Sequence, residues 1–534
     1  MDGNGRYLTC TFLPAALICL AAAFTGCGQA GPPPLTGDFS ASVSPDSASV
    51  VVGNSSPIIL VSITPQNGFT GTVSISLQGV PEGVSVIPAA SFSVDAGGSQ
   101  SVTFVVTGSA PVGPSSITFL ASSGRLSHRT QFSLTAEAMV STYQIGSLLY
   151  LESGTTTDTA RMGLETNWGG TIVEASLNGT NFVNEHDTGR EVQPSYRDGN
   201  NQNYNPTPGG DIFDQGTPII SYSITADSLY TKSRPLQWDP ASYGGGLGKP
   251  VAGDILFEQT VTAIATELHT FKVHIKATHL GNDLHANSGQ EFPAVYTNQE
   301  YGRFLYYAGN SPWTNGVATA TQFPILGQPN PPIYVSERWG ALVNMQNQGL
   351  TVYIPSVDPY FIGFVSPDAG GGGPTDNYTN YFAPLGNLTI GPGFVFEGEF
   401  YVIAGDLTLA RQTIYRLHQS LSIPDIFSPF ETTDQPAAGS KLSGATPVSG
   451  WAVDDVKVSR VEILIDGAVD GTAHYGDPRP DVAAAIPFSP VDVGFSYSLD
   501  TTKYKNGPHT LSVRVTDSSD NLAVSPDLPI VVSN

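Results

Sequence analysis

The sequence predicts an all-β chain of successive sandwiches, and three observations carry that prediction. Short runs of Val, Ile, Thr and Phe alternate with turn residues along most of its length. The 58 glycines and 41 prolines break the chain too often for long helices. The Ala/Glu/Lys/Leu/Arg repeats of a helical bundle or coiled coil are missing. At 534 residues the chain is too long for one ordinary core. Its 25 Phe and 22 Tyr set it apart from disordered compositions.

The amino terminus reads as an address. Residues 7–24 (YLTCTFLPAALICLAAAF) form an apolar stretch after Arg6, too short and wrongly flanked for a membrane span. It ends in Phe24-Thr25-Gly26-Cys27, which resembles a bacterial lipobox. That resemblance implies a signal peptide over 1–27, lipidation at Cys27 and a mature chain that begins there. Gly28 after the cysteine resembles the outer-membrane sorting pattern. Residues 28–37 (GQAGPPPLTG) then form a tether. A plain cleaved signal is the alternative. All three cysteines (Cys10, Cys19, Cys27) lie in this leader, so the body has neither a disulfide framework nor a cysteine zinc site.

Residues 38–137 read as a small sandwich. Runs such as IILVSITP, GTVSISLQG and SVTFVVTG alternate apolar and polar residues between turns such as Pro81-Glu82-Gly83. The passages Gly68-Phe69-Thr70-Gly71-Thr72-Val73 and Gly79-Val80-Pro81-Glu82-Gly83-Val84 resemble Ig-like domains of bacterial surface proteins. The implied role is a spacer.

Residues 140–420 differ. They hold four of the five tryptophans and six of the nine histidines. In HTFKVHIKATHL (269–280), Phe271, Val273 and Ile275 point one way while Lys272, His274 and Lys276 point the other. One helix is expected, over 407–420 (LTLARQTIYRLHQS). The rest predicts a large two-sheet β-supersandwich. The passage Asn167-Trp168-Gly169-Gly170-Thr171-Ile172, then Asn178 to Asn184 and Asp187-Thr188-Gly189-Arg190, resembles the start of a galactose-mutarotase-like domain. Phe396-Glu397-Gly398-Glu399-Phe400 and Gly405-Asp406-Leu407 resemble its closing strands. The resemblance implies the architecture and a sugar cleft beside Gly189-Arg190. Epimerase activity is not carried over, because the histidine pair of that activity is not assigned here.

Residues 421–534 follow a Pro-rich joint and read as a second small sandwich. Gly450 to Asp455, Val461-Glu462-Ile463 and Gly476 to Val482 resemble another bacterial Ig-like module. Its aspartates are either oxygen ligands for Ca²⁺ or turn residues bonding their own backbone.

Candidate site residues concentrate in the middle. The loop 188–215 is rich in planar donors, acceptors and aromatic rings: Arg190, Gln193, Tyr196, Arg197, Asn203, Tyr204, Asn205 and Asp211. A sugar needs such groups for its hydroxyls and an aromatic platform for its apolar face. Trp238 and Trp313, each near a proline, are candidate platforms, and Tyr296 is a candidate binding residue. Glu291 and Glu337 are candidate acid/base groups, because glycoside cleavage uses paired carboxyls and elimination or epimerisation uses an acid and a base. Glu337 beside Arg338 also reads as a plain ion pair. Along the strand, His269 and His279 share a face but stand too far apart to share a metal, and His274 has the opposite parity. No metal and no cofactor are therefore expected.

The net charge of −24 argues against nucleic acid and against electrostatic docking on anionic lipid. Membrane contact is expected through a lipid anchor alone. The reading is a secreted, lipid-anchored cell-surface protein whose middle domain binds a polysaccharide or oligosaccharide. The residues leave open whether it also cleaves or isomerises one. The alternative is a non-catalytic adhesion or envelope scaffold protein.

Overall fold

The computed structural model describes residues 37–185, 189–198, 202–207, 215–238, 249–309, 312–321, 323–325, 330, 332–355, 360–365, 379–384, 386–421, 429–454, 457–486 and 489–534. Cys27, the leader and Asp211 lie outside the described residues. The chain is nearly all β. No helix among the described residues is long and apolar enough to cross a membrane.

Three large hydrophobic cores organise it, with smaller clusters beside them. The first lies between a four-stranded sheet containing Ile59–Gln66 and Ser99–Val106 and a five-stranded sheet containing Gly113–Ser123 and Leu126–Glu137. Phe104 and Phe132 stack there at 5.2 Å, and both meet Phe119 edge-on. Each such ring removes enough apolar surface from water to contribute about 1.5–3 kcal/mol. The third core lies between a four-stranded and a six-stranded sheet and gathers Val461, Ile463, Phe495, Leu511 and Val513. Several of its acidic turn residues have partners within the chain. Arg479 pairs with both Asp434 and Asp481 at 2.7 Å, and Asp454 accepts from the Lys457 backbone. Asp455 lies outside the described residues.

The middle core is the largest. A nine-stranded antiparallel sheet runs from Ile219–Ile224 through Ser228–Ser233, Ile255–Ala263, Thr270–His279, Val395–Asp406, Gln348–Tyr353, Trp339–Val343 and Arg303–Tyr306 to Thr319–Thr321. An eight-stranded sheet has Gln193–Arg197, His285–Asn298 and Thr379–Pro384 side by side at its centre. The apolar faces of both sheets contribute to one cluster, with Val261, Val273, Val352 and Val402 from the first and Phe292, Val295 and Phe382 from the second, and a five-stranded sheet that includes Leu148–Gly154, Thr159–Glu165 and Thr171–Leu177 adds Leu149, Leu151, Met162 and Leu164 to it. In Thr270–His279 the predicted alternation holds: Phe271, Val273 and Ile275 are buried, while Lys272, His274 and Lys276 are half-buried.

The expected helix spans Leu407–Ser420. Asp406 caps it by accepting from Thr408 and Leu409 N–H groups at 2.9 and 3.1 Å, which satisfies two of the free donors at its start. Leu407, Ala410, Ile414 and Leu417, spaced at helical period, pack on Trp339, Tyr353 and Tyr401 at the outer face of the nine-stranded sheet.

Candidate functional site

The outer face of the eight-stranded sheet carries a polar cavity of about 260 Å³. Cross-strand register assembles it. Ser195 lies opposite Glu291, Arg197 opposite Asn203, and Tyr296 opposite Tyr381. All six of these residues line the cavity, together with Arg190, Asn205, Trp238 and Asn330. Seven candidates scattered over about a hundred residues of sequence, Arg190, Arg197, Asn203, Asn205, Trp238, Glu291 and Tyr296, thus meet in one place.

Neighbouring bonds fix the lining. Gln290 clamps the Arg197 backbone: its amide oxygen accepts from the Arg197 N–H at 3.0 Å, and its NH₂ donates to the Arg197 carbonyl at 2.9 Å. The Arg197 Nε donates to Asn203 at 2.9 Å, and the Ser195 hydroxyl donates to Asn205 at the same distance. The Arg190 guanidinium sits 5.8 Å from the centre of the Trp238 ring, within cation–π range. The Trp238 indole N–H is buried and has no hydrogen-bond partner among the described residues.

Glu291 is the chemical centre. It is 5% exposed, and its Oε1 lies 3.4 Å from an Arg197 nitrogen. Burial pushes its carboxyl above the ordinary value, while Arg197 and a hydrogen bond from Tyr381 pull it part of the way back. The same burial, with Glu291 alongside, drives the Tyr381 phenol well up. A carboxyl raised in this way is better suited than a free one to giving or taking a proton.

The remaining candidates fall elsewhere. Gln193 and Tyr204 stand just behind the lining. The Gln193 amide donates to the Gly189 carbonyl, and the Tyr204 hydroxyl reaches Asp198 at 3.3 Å. Gln193 thus holds the backbone at Gly189, next to Arg190. Glu337 is not a partner for Glu291. It is wholly buried beneath the helix, where its carboxylate accepts from Trp339 Nε1 at 2.7 Å, the Trp313 N–H at 2.8 Å and the Tyr415 hydroxyl at 2.7 Å. Nor is Arg338 its ion partner; Arg411 of the helix stands 3.6 Å away. Trp313 is half-buried against the cluster beneath the helix, stacked on His418 at 3.6 Å with the rings 8° apart, and does not line the cavity. The Gly169-Gly170 pair packs against Pro206 and Thr231 and does not line the cavity, whereas Gly189-Arg190 does.

Tyr381, Asn330, Ile362 and Phe364 were not legible as lining residues. Tyr381 sits in TNYFAP, a strand buried at every position, where a tyrosine reads as core. Its signal was the hydroxyl, which needs a partner when buried. Glu291 and Tyr296 share the cavity although an odd number of positions separates them. Odd spacing places residues on opposite faces of a regular strand, but here the ladder is irregular, with a register shift opposite at Gln193/Ser195.

Residues 429–513 match the family model described as Bacterial Ig domain. No curated protein matches the sequence. Among solved structures, one named as an aldose 1-epimerase from Klebsiella pneumoniae is 11% identical over 58% of this chain and 88% of its own, with a TM-score of 0.30. A polysaccharide lyase is 9% identical over 74% of this chain and 47% of its own, at 0.27. An endo-β-1,4-mannanase from Thermotoga petrophila is 13% identical over 24% of this chain, at 0.16. The chain spans a quarter of the mannanase's length and about half of the lyase's. Scores of this size assign no activity to it.

Proposed function

We propose that the middle domain binds a polysaccharide in this cavity and acts on it by proton transfer at Glu291. The Ig-like units on either side, 38–137 and 421–534, serve as spacers that hold it away from the cell surface, to which Cys27 anchors the chain. The observation that carries the reading is a buried glutamate beside Tyr381, its carboxyl pushed up by burial, in a cavity that also presents Arg190, Arg197 and Trp238. Trp238 offers a flat apolar face to a sugar ring, and the arginines and asparagines offer donors to its oxygens. Arg190 and Arg197 line the same cavity, and their guanidinium groups suit a glycan that bears carboxylates. Next to such a carboxylate, Glu291 and Tyr381 are placed to exchange the proton that elimination or epimerisation requires.

The test incubates the mature protein with uronate-bearing and neutral polysaccharides. Binding, new reducing ends and unsaturated products are all read. The expected result is turnover of a uronate-bearing glycan, reduced by about 10²–10⁴-fold in Glu291→Gln, with weakened binding in Arg190→Ala and Trp238→Ala. Binding without product leaves a glycan-capture protein. No binding to any glycan sinks the reading in favour of an adhesion or scaffold role.

A further inference from the structure

A second cluster of ionisable side chains lies behind the strand that carries Ser195 and Arg197, on the side to which Tyr196 points. Asp254 immediately precedes strand Ile255–Ala263, and His279 closes strand Thr270–His279. Asp283 lies in the following turn, and His285 opens strand His285–Asn298. The first two strands belong to the nine-stranded sheet and the third to the eight-stranded one. The four residues therefore meet where the chain crosses from one layer to the other.

One donor atom from each of the four lies within 4.8 Å of all the others. His279 Nε2 is 3.1 Å from Asp254 Oδ2 and 3.6 Å from Asp283 Oδ1. His285 Nε2 is 2.9 Å from Asp254 Oδ2 and 3.5 Å from Asp283 Oδ2. A tetrahedral ion with nitrogen and oxygen ligands at about 2.0–2.2 Å sets its ligand atoms about 3.3–3.5 Å apart. The spacing here brackets that value.

The orientation of the His279 ring points the same way. The His279 side chain is fully buried, and its Nδ1 lies 2.8 Å from the Gly391 carbonyl. A carbonyl only accepts, so Nδ1 carries a proton. The ring's Nε2 is the nitrogen that faces the Asp254 and Asp283 carboxylates, and it is the atom a metal ion would use. A ring fixed through its other nitrogen by a carbonyl is the usual companion of metal ligation. The turn is shaped for the arrangement as well. A Cβ at Gly281 would stand 2.8 Å from His279 Nε2, so glycine lets Asp283 fold back over the imidazole.

We propose that Asp254, His279, Asp283 and His285 bind one divalent transition-metal ion, with zinc favoured by the donor set. Calcium and magnesium take oxygen ligands, whereas two imidazoles with two carboxylates suit zinc. Two carboxylates neutralise the ion, and four protein ligands complete a tetrahedron, which makes the role structural. The ion pins the two sheets together at the start of the strand that carries Glu291 and Tyr296. The inference stands independently of what the cavity binds.

The full mature chain is stripped with a chelator and dialysed against zinc chloride, and metal content is read by mass spectrometry. One zinc per chain is expected. The thermal midpoint falls on chelation and returns with Zn²⁺ but not with Mg²⁺ or Ca²⁺. His285→Gln and Asp283→Asn each weaken zinc binding by about tenfold or more, since each removes one of four ligands. Asp283 is exposed, so its variant keeps the test open if His285→Gln does not fold. Co²⁺ gives tetrahedral ligand-field absorption in the wild type and loses it in both variants. The proposal is overturned if the wild type retains no zinc, or if Asp283→Asn matches it in uptake and in Co²⁺ spectrum; the cluster is then an imidazolium–carboxylate pairing.

Discussion

Burial costs a carboxylate its hydration, and Glu291 recovers only part of that loss from Arg197 and Tyr381. Its raised pKa therefore links stability to pH. Folding favours the protonated form, so the stabilising contribution is complete below the unfolded value of about 4.3 and is lost as pH rises through the folded value. Glu291→Gln has no charge to bury. Its thermal midpoint should gain on that of the wild type as pH rises across that window and then hold steady. A difference that does not change between pH 4 and pH 8 would refute the raised pKa. At this scale the sequence was partly legible. Residue type alone pointed to Glu291, Arg190, Asn205, Trp238 and Tyr296, because Arg, Trp and Glu near turns serve recognition more often than packing. Tyr381 was hidden by a strand that reads as pure core. The Asp254–His279–Asp283–His285 cluster was hidden for another reason. Parity along one strand compared His279 with His269 and His274, whereas its partners lie across a turn and on another strand.

Elements were more legible than contacts between them. Alternation at period two marked the strands, and the helical spacing of Leu407, Ala410, Ile414 and Leu417 marked the one long helix, with Asp406 as its cap. What periodicity could not show is how that helix is fastened. Tyr415 and Arg411 project from it to Glu337, and burial together with that bond pushes the Tyr415 phenol up to about 12. Trp339 on the sheet and the Trp313 backbone donate to the same carboxylate. Glu337 is thus a rivet between helix and sheet. Glu337→Ala leaves these donors without their acceptor and is expected to cost roughly 3–5 kcal/mol of stability. Chemical denaturation measures that loss. Glycan binding per folded molecule should not change; a variant of full stability that fails to bind would return Glu337 to the cavity's chemistry.

The three cores share no buried cluster, and this governs how the whole molecule should unfold. The first core draws on residues between Phe39 and Ala136, the middle one on Leu149 to Ala404, and the third on Leu442 to Ile530. The seams between them include backbone bonds from Ala138 to Ala265 and from Thr156 to Gly108, and an edge-on contact of Tyr360 with Phe430 at 6.3 Å. Contacts of this kind remove little apolar surface from water, whereas each core removes many side chains, so cooperativity should stay within each core. Scanning calorimetry of the mature chain is expected to resolve more than one transition. A glycan that binds the cavity stabilises only the unit containing Glu291, by about 2.7 kcal/mol at a hundred times its dissociation constant. Zinc bound at Asp254, His279, Asp283 and His285 acts on that same unit. Both ligands should therefore move one transition, and the others should stay in place because neither ligand touches their cores. A single transition that shifts as a whole would mean that the seams couple the units, and the flanking sandwiches would then help to hold the cavity's shape.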